Sequence, residues 1–580
     1  MKALRIAAAV GAAVAMIAAM GPASAFVTQP IALDASVGEG RPGIDQFGNI
    51  RHVANIGDNI GWSGSDIEFA SREVVKLSGG ATGDPVCETD ANGDCLLDAD
   101  GNEIYQTEIR DFAIAGGYGQ AARIIDITDP ESPVHVNNTP CSISQNDIQI
   151  TGDLLLVAAD GNGTCKRPDG SNAGFAGTAI LDFSDPRDPT YLSRLQYTRG
   201  SHNHTVHPGG RYVYLSDSDL NNAGLGNVPI WDIADPANPV LVTEFKHLVH
   251  SPHDITFNAD GSRAYAAAVS ATYILNTEDP RSPVLVATIA NEGISIAHQS
   301  DPTPDGKYLL VSDELGGGAA GVSPGGPVHV YDIRNEAVPV KIGIIENNCV
   351  QETCHSAAEV PVSTAHVFRI NPDGWTMAIA WYKDGIFVVD YSSMIGGNLE
   401  NSGQTGVGPR VIAGMRMPGA NSWAAKMWQE RHPGYVFVND ISRGFDIFHV
   451  PELDDGYFAM GTIQAAHILN YEAAVGVTRA EFEQSCEYAP RSNGVDGWVQ
   501  AIPSELADGE HDIKVEATAT TTGDWDIDLY YYDANCGLIE ADEDESTFET
   551  GTIPAGAKYV MAAAWTSTED ALLRVRFSTI

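Results

Sequence analysis

An Asp-Pro turn recurs along most of this chain, and its spacing constrains the fold more than any other feature. Five segments align without gaps: Ile124-Ile125-Asp126-Ile127-Thr128-Asp129-Pro130, Ile180-Leu181-Asp182-Phe183-Ser184-Asp185-Pro186, Ile230-Trp231-Asp232-Ile233-Ala234-Asp235-Pro236, Ile274-Leu275-Asn276-Thr277-Glu278-Asp279-Pro280 and Val330-Tyr331-Asp332-Ile333-Arg334-Asn335. Each places a proline seven residues after its Asp or Asn, at Pro133, Pro189, Pro239, Pro283 and Pro339. Weaker copies follow at Val388-Val389-Asp390 and Phe445-Asp446-Ile447, so the anchors are spaced by 56, 50, 44, 56, 58 and 56 residues. An apolar strand ends at the Asp, whose side chain accepts from the turn amides, and the Asp-Pro pair forces the chain to reverse. Between anchors lie hairpins with Asp-Gly turns, as in Asn258-Ala259-Asp260-Gly261, followed by alternating strands such as Tyr308-Leu309-Leu310-Val311. Four short strands per unit make a propeller blade. The expected fold is therefore all-β, a propeller of about seven blades over residues 51–470.

These strands, each ending at the repeated Asp, resemble the LVIVD-repeat family over roughly residues 50–465. Ser65-Asp66-Ile67-Glu68-Phe69 reads as the first strand of a blade and is expected to close the ring with the strands after Asp446. Beyond about residue 480 the repeat is gone. Asp526-Ile527-Asp528-Leu529-Tyr530-Tyr531-Tyr532-Asp533 and Gly551-Thr552-Ile553-Pro554-Ala555-Gly556 suggest a small β-sandwich over residues 480–580. It resembles the bacterial pre-peptidase C-terminal domain, an accessory module of secreted enzymes and surface proteins.

The chain opens with Met1-Lys2-Ala3-Leu4-Arg5, an apolar run and Ala23-Ser24-Ala25, the pattern of a cleaved secretory signal over residues 1–25, with residues 26–50 as a lead into the propeller. The expected location is periplasmic or extracellular, with no transmembrane segment, since no later stretch reaches about 18 uninterrupted apolar residues. Acidic residues outnumber basic ones 77 to 33, for a formal charge of −44. That argues against nucleic acid as a partner, because phosphate backbones are held by Lys/Arg patches. Eight cysteines in an exported chain point to disulfides. Proximity favours Cys87–Cys95, Cys141–Cys165, Cys349–Cys354 and Cys486–Cys536, one connectivity among the many that eight cysteines allow.

Aligning the blades on their turn glycines exposes the main candidate site. Eight residues before Gly210, Gly261, Gly306 and Gly374 stand His202, His253, His298 and His366. The same register in the first two blades holds Ser65 or Asn146, and in the last it falls near Lys426. First strands line a propeller's channel, so imidazoles from successive blades can converge on one metal ion. All-histidine ligation favours copper or non-haem iron, while zinc with an activated water is the hydrolytic option. His204 is a further ligand or supporting partner, and Asp254 is placed to orient a ring nitrogen. The site logic is similar to that of carotenoid-cleaving oxygenases, which hold iron with four histidines from different blades. It is also similar to that of the selenium-binding protein and methanethiol oxidase family, a propeller with histidine-bound copper.

A structural reading stands beside the metal one. In WD-repeat propellers a histidine near the start of the inner strand bonds an aspartate in a neighbouring turn, and Asp217 and Asp313 are placed for that here. An oxygen-rich loop at Asp90, Asn92, Asp94, Asp98 and Asp100 is either a calcium site or an acidic turn closed by Cys87–Cys95. The expected function is a metal-dependent oxidoreductase with copper or iron, acting on a small-molecule substrate. The alternatives are a non-catalytic propeller binding an extracellular partner, and a hydrolase using Asp254 or Glu292 as base.

Overall fold

A computed structural model describes residues 45–57, 61–90, 92–98, 101–217, 226–290, 293–314, 326–345, 364–372, 376–391, 410–453, 457–464, 497–501, 513–519, 526–533, 537–542, 548–565 and 570–579. Seven antiparallel sheets follow one another along the chain, and each repeat anchor falls in the third strand of its sheet. Blade 3 shows the pattern, with strands Ser201–Val206, Tyr212–Asp217, Val228–Asp232 and Val240–Phe245 paired in sequence order. Its third strand ends on the anchor Asp232, whose Oδ1 accepts from the amide of Ala234 at 2.9 Å. Asp126, Asp182, Asn276 and Asp332 do the same for the amide two residues on, at 2.9–3.0 Å. The following Asp-Pro turn repeats the device, with Asp129, Asp185, Asp235 and Asp279 each holding a second amide. The repeat is thus a pair of Asx turns between a blade's third and fourth strands.

Ring closure is visible in the apolar cores. Alternate residues of one strand face opposite neighbours, so both faces of each blade are buried. In the second strand of blade 5, Leu309 and Val311 pack with Tyr265 and Ile274 of blade 4. Tyr308 and Leu310 pack with Phe368 and Ile379 of blade 6. Such clusters join every adjacent pair, including blade 7 to blade 1 through Phe437, Phe445, Ile67 and Ala113. Each fully buried side chain of this size contributes about 1.5–3 kcal/mol.

The closing strand differs from the expectation. Ser65–Phe69 belongs to Gly64–Val75, the innermost strand of blade 1. The ring is closed instead by Arg51–Ile56, which adds as the outermost strand of blade 7 along Gly444–His449. A further short strand, Asp45–Phe47, extends blade 6. Pairing the start of the chain with its last blade fastens the circle by main-chain hydrogen bonds.

Two more four-stranded sheets follow. One orders Tyr457–Gln464, Asp570–Thr579, Ile513–Ala519 and Phe548–Thr552; the other orders Gly497–Ala501, Tyr559–Trp565, Asp526–Tyr532 and Leu538–Asp542. They pack on each other as a β-sandwich; Val515 is buried in the first sheet, and in the second Leu529, Tyr531 and Val560 are buried on one face and Tyr530 and Met561 on the other.

Cys87–Cys95 and Cys141–Cys165 form disulfides. Cys349, Cys354, Cys486 and Cys536 lie outside the described residues, as do Met1–Ala25, Asp100 and Glu292. Among the described residues no helix is long and apolar enough to cross a membrane.

Candidate functional site

The seven first strands line a channel cavity of about 270 Å³ in two layers. Ser65, Asn146, His202, His253, His298, His366 and Trp423 occupy the upper register, where all but Ser65 and His202 line the cavity, and the residue three further on occupies the lower one. That lower layer is Glu68, Gln149, Thr205, Thr256, Asp301, Arg369 and Lys426, all of which line the cavity. The equivalent of the histidines in blade 7 is therefore Trp423, and Lys426 belongs one layer deeper. The count back from the turn glycine slips there because Trp423 stands eleven residues before Gly434, three more than separate each histidine from its glycine, and the longer connection lies between Met427 and Tyr435. A β-bulge marks the same strand between Ser422 and Ala424. The same irregularity occurs at Ser201/Asn203 and Ala297/Ser300, so His202 and His298 leave the regular pleat just where they turn towards the channel. His253 and His366 sit one and two residues before their strands, tied by their amides to Ala267 and Ala380 carbonyls at 2.7 and 2.9 Å.

The four imidazoles form a continuous arc. Ring centroids of His202–His253, His253–His298 and His298–His366 are 4.2, 4.0 and 4.0 Å apart, and Trp423 continues the arc at 3.9 Å from His366. Their roles are unequal. His202 Nε2 lies 2.7 Å from His253 Nε2, and its Nδ1 is 3.5 Å from Asp160. Burial, the largest single influence, opposes charge on His202, yet Asp160 together with Glu314 and Asp254 outweighs it and raises the imidazole above its ordinary range. His366 donates Nδ1–H to the Trp423 carbonyl at 2.6 Å, which leaves Nε2 as the lone-pair nitrogen, buried and without a hydrogen-bond partner. His298 is 2 % exposed and neither of its ring nitrogens has a partner. Burial, then the neighbouring imidazoles, holds His253 and His298 well below the usual imidazole range. Burial brings His366 down to about 3. These three are neutral, the form that ligates a metal.

A carboxylate completes the group. Ligating atoms of His253, His298 and Glu314 all lie within 4.8 Å of one another. Glu314 follows the second strand of blade 5, and its amide bonds the Ile296 carbonyl at 3.0 Å. Asp313 beside it accepts from the amides of Ser295 and Ile296 at 2.8 and 3.1 Å, so the approach to His298 and the Glu314 backbone are pinned together. Tyr382 donates its hydroxyl to Glu314 Oε1 at 3.1 Å and packs its ring 4.8 Å from His366. Glu314 has no repeat partner in other blades, which is why sequence register does not find it.

The structural pairing expected from WD-type propellers is not what these histidines make. Asp313 serves backbone amides, and Asp217 accepts from the Tyr197 hydroxyl at 3.0 Å and pairs with Arg199. His204 lies outside the cavity lining, fully buried, with Nδ1 3.2 Å from Asp147, and burial lowers it to about 3. Asp254 lines the cavity wall and accepts from the Ile255 amide at 2.8 Å. The ring nitrogens are oriented instead by Asp160 and the Trp423 carbonyl. At the acidic loop, Asp90 accepts from the amides of Asn92 and Asp94 at 2.8 and 3.0 Å, and Asp98 from that of Asn102 at 2.9 Å. These oxygens cap two tight turns.

The lower layer is charged. Lys426 Nζ contacts Asp66 at 2.8 Å, Glu68 at 3.0 Å and the Ile67 carbonyl at 2.7 Å, while Arg369 also pairs with Glu68. Burial and then Asp301 push Asp254 up to about 7, and burial with Asp66 and Asp254 raises Asp147 well above the carboxylate range.

No family model matches the chain, and no curated protein matches it. Among solved structures it is similar to the Cps50 (Swd1) β-propeller domain of Myceliophteria thermophila, at 12% identity and a TM-score of 0.40, covering 65% of this chain and 99% of that one. A protein from Lactobacillus plantarum matches at 14% identity and a TM-score of 0.40, over 57% of this chain and 84% of that one. A putative 6-phosphogluconolactonase from Bacteroides fragilis matches at 15% identity and a TM-score of 0.36, over 58% and 93%. At these scores the likenesses carry no argument about chemistry.

Proposed function

We propose that this chain is an exported metal-dependent oxidoreductase whose propeller channel holds a metal ion on His253, His298 and Glu314, acting on a small molecule. The observation that carries the reading is His298, a buried imidazole with both nitrogens unpartnered, facing His253 and Glu314 within ligand distance of one another. A buried polar group left unpaired costs about 1–3 kcal/mol, and such groups persist where a ligand meets them. His366, with its Nε2 fixed as the acceptor, is the available fourth donor. His202 flanks the group as a hydrogen-bonding partner of His253.

The carboxylate changes the expected metal. Four histidines alone leave copper and iron level. Two imidazoles and one carboxylate favour non-haem iron, which supplies one-electron and dioxygen chemistry when bound. The protein's own part is to keep the imidazoles neutral, hold Glu314 through Tyr382, and bury the group beside a small-molecule cavity. The proposal of export draws on the signal-like pattern expected over residues 1–25 and on two disulfides, which persist in oxidising compartments. The same ligand set serves zinc and an activated water, with Asp254 on the cavity wall as the base available to a hydrolase.

Elemental analysis of the untagged mature protein decides among these. About one equivalent of iron per chain, lost in His298→Ala and Glu314→Gln variants that still fold, supports the oxidoreductase. One equivalent of zinc moves the reading to hydrolysis. No metal after incubation with iron, copper and zinc removes the enzyme reading and leaves a binding propeller.

A further inference from the structure

Beneath the histidine arc the cavity is charged in a lopsided way. Five carboxylates line it, Asp66, Glu68, Asp147, Asp254 and Asp301, against two cations, Arg369 and Lys426. Both cations are already engaged with Asp66 and Glu68 on the side formed by blades 6, 7 and 1. Across the channel, on blades 2, 4 and 5, the carboxylates meet only neutral donors. Asp301 takes the Thr256 hydroxyl at 2.7 Å and the Gln299 amide at 2.9 Å. Asp147 takes the His204 amide at 2.9 Å, and Asp254 takes that of Ile255 at 2.8 Å. All three are half-buried, so they stand at the cavity surface within reach of a ligand.

Asn146 is the second, independent observation. It lines the same cavity, is 1 % exposed, and gives its Nδ2–H to the Gly117 carbonyl at 2.8 Å. Its Oδ1 is left with no donor. A buried acceptor without a partner, beside carboxylates that Lys426 reaches only at longer range and no cation contacts directly, describes a wall with room for a further donor and a positive charge.

We propose that this wall binds the protonated amine of a small organic substrate, with the ammonium group among Asp147, Asp254, Asp301 and Asn146 Oδ1 and the rest of the molecule extending towards the histidines. An ammonium group brings three N–H donors, which match the available acceptors, and one positive charge, which favours the ionised form of carboxyls such as Asp147 and Asp301 that burial raises in the empty cavity. A small anion is disfavoured because Lys426 and Arg369 are already paired. The inference deepens the proposed function by naming its substrate class, and rests on it only for what happens to the amine once bound.

Calorimetric titration of the full mature chain with benzylamine and 1,4-diaminobutane tests it, against benzyl alcohol, butyrate and calcium chloride. Saturable binding of an amine is expected, at least tenfold tighter than that of the alcohol or butyrate. Asp301→Asn should weaken it about tenfold with the metal content unchanged, and Asp147→Asn provides a second variant should the first fail to fold. Absent amine binding, preference for butyrate, or binding by calcium alone that Asp301→Asn abolishes would overturn the proposal. Amine binding in a protein that holds no metal upholds this site and removes only the metal reading. Metal without amine binding does the reverse.

Discussion

Two buried histidine environments in this propeller answer the same question in opposite ways. At the closure of blade 7, His52 Nε2 meets Asp446 Oδ1 at 2.7 Å, and Asp446 also takes two guanidinium contacts from Arg443 at 2.9 Å and the Asn55 amide at 2.7 Å. In the channel, His298 and His366 Nε2 face a cavity with no partner. The first is what a structural histidine looks like here: its Nε2 is committed to the blade, and Asp446 is itself a repeat anchor. The second holds lone pairs in reserve. The missing partner marks a site only together with the cavity, since His204 and His329 are also buried with both ring nitrogens lacking a hydrogen-bond partner and lie outside its lining.

The contrast breaks most visibly at the closure. Asp446→Ala leaves Arg443 and His52 buried without their partner, and urea unfolding should show a loss of about 3–5 kcal/mol. A loss below about 1 kcal/mol would mean that the network holds nothing together.

A pH comparison comes next. The unfolded chain binds a proton on each histidine near pH 6.5, whereas folded His298 refuses it until well below that range. Wild-type metal-free protein should therefore lose stability relative to His298→Ala as pH falls below about 6.5, by up to about 1.4 kcal/mol per pH unit. Raised carboxylates such as Asp254 act in the opposite direction, so only the difference between the two proteins isolates the imidazole. A difference that does not change between pH 8 and pH 5 would show that His298 is not held neutral by burial.

Two smaller effects sharpen the channel side. Tyr382→Phe removes the hydroxyl on Glu314 and should weaken metal binding about tenfold, or about 1.4 kcal/mol, in competition with a chromophoric chelator. An unchanged affinity would free Glu314 from that support. At pH 8, His298→Ala should alter metal-free stability by less than about 1 kcal/mol, since no hydrogen bond of the fold is lost. A loss of several kcal/mol would make His298 a structural residue like His52.

Much of this was legible in the sequence, because a propeller repeats its local chemistry. The Asx-turn anchors at Asp126, Asp182, Asp232, Asn276 and Asp332 are local signals, and the four histidines stand at a fixed distance from turn glycines. What escaped depends on tertiary placement. Arg51–Ile56 is six residues without a repeat partner, and only the ring's geometry makes it the closing strand. Trp423 was hidden by three extra residues between it and the turn glycine Gly434, which move the eight-residue count onto Lys426. Glu314 sits just past a strand end in a single blade, so its approach to His253 of the neighbouring blade has no local mark.

Anomalous diffraction from crystals of the untagged protein, collected on both sides of the iron edge, tests the central claim most directly. The account predicts one iron peak in the channel, within bonding distance of His253, His298 and Glu314. Diffraction that shows these three side chains ordered around no metal, in protein loaded with iron, would contradict it.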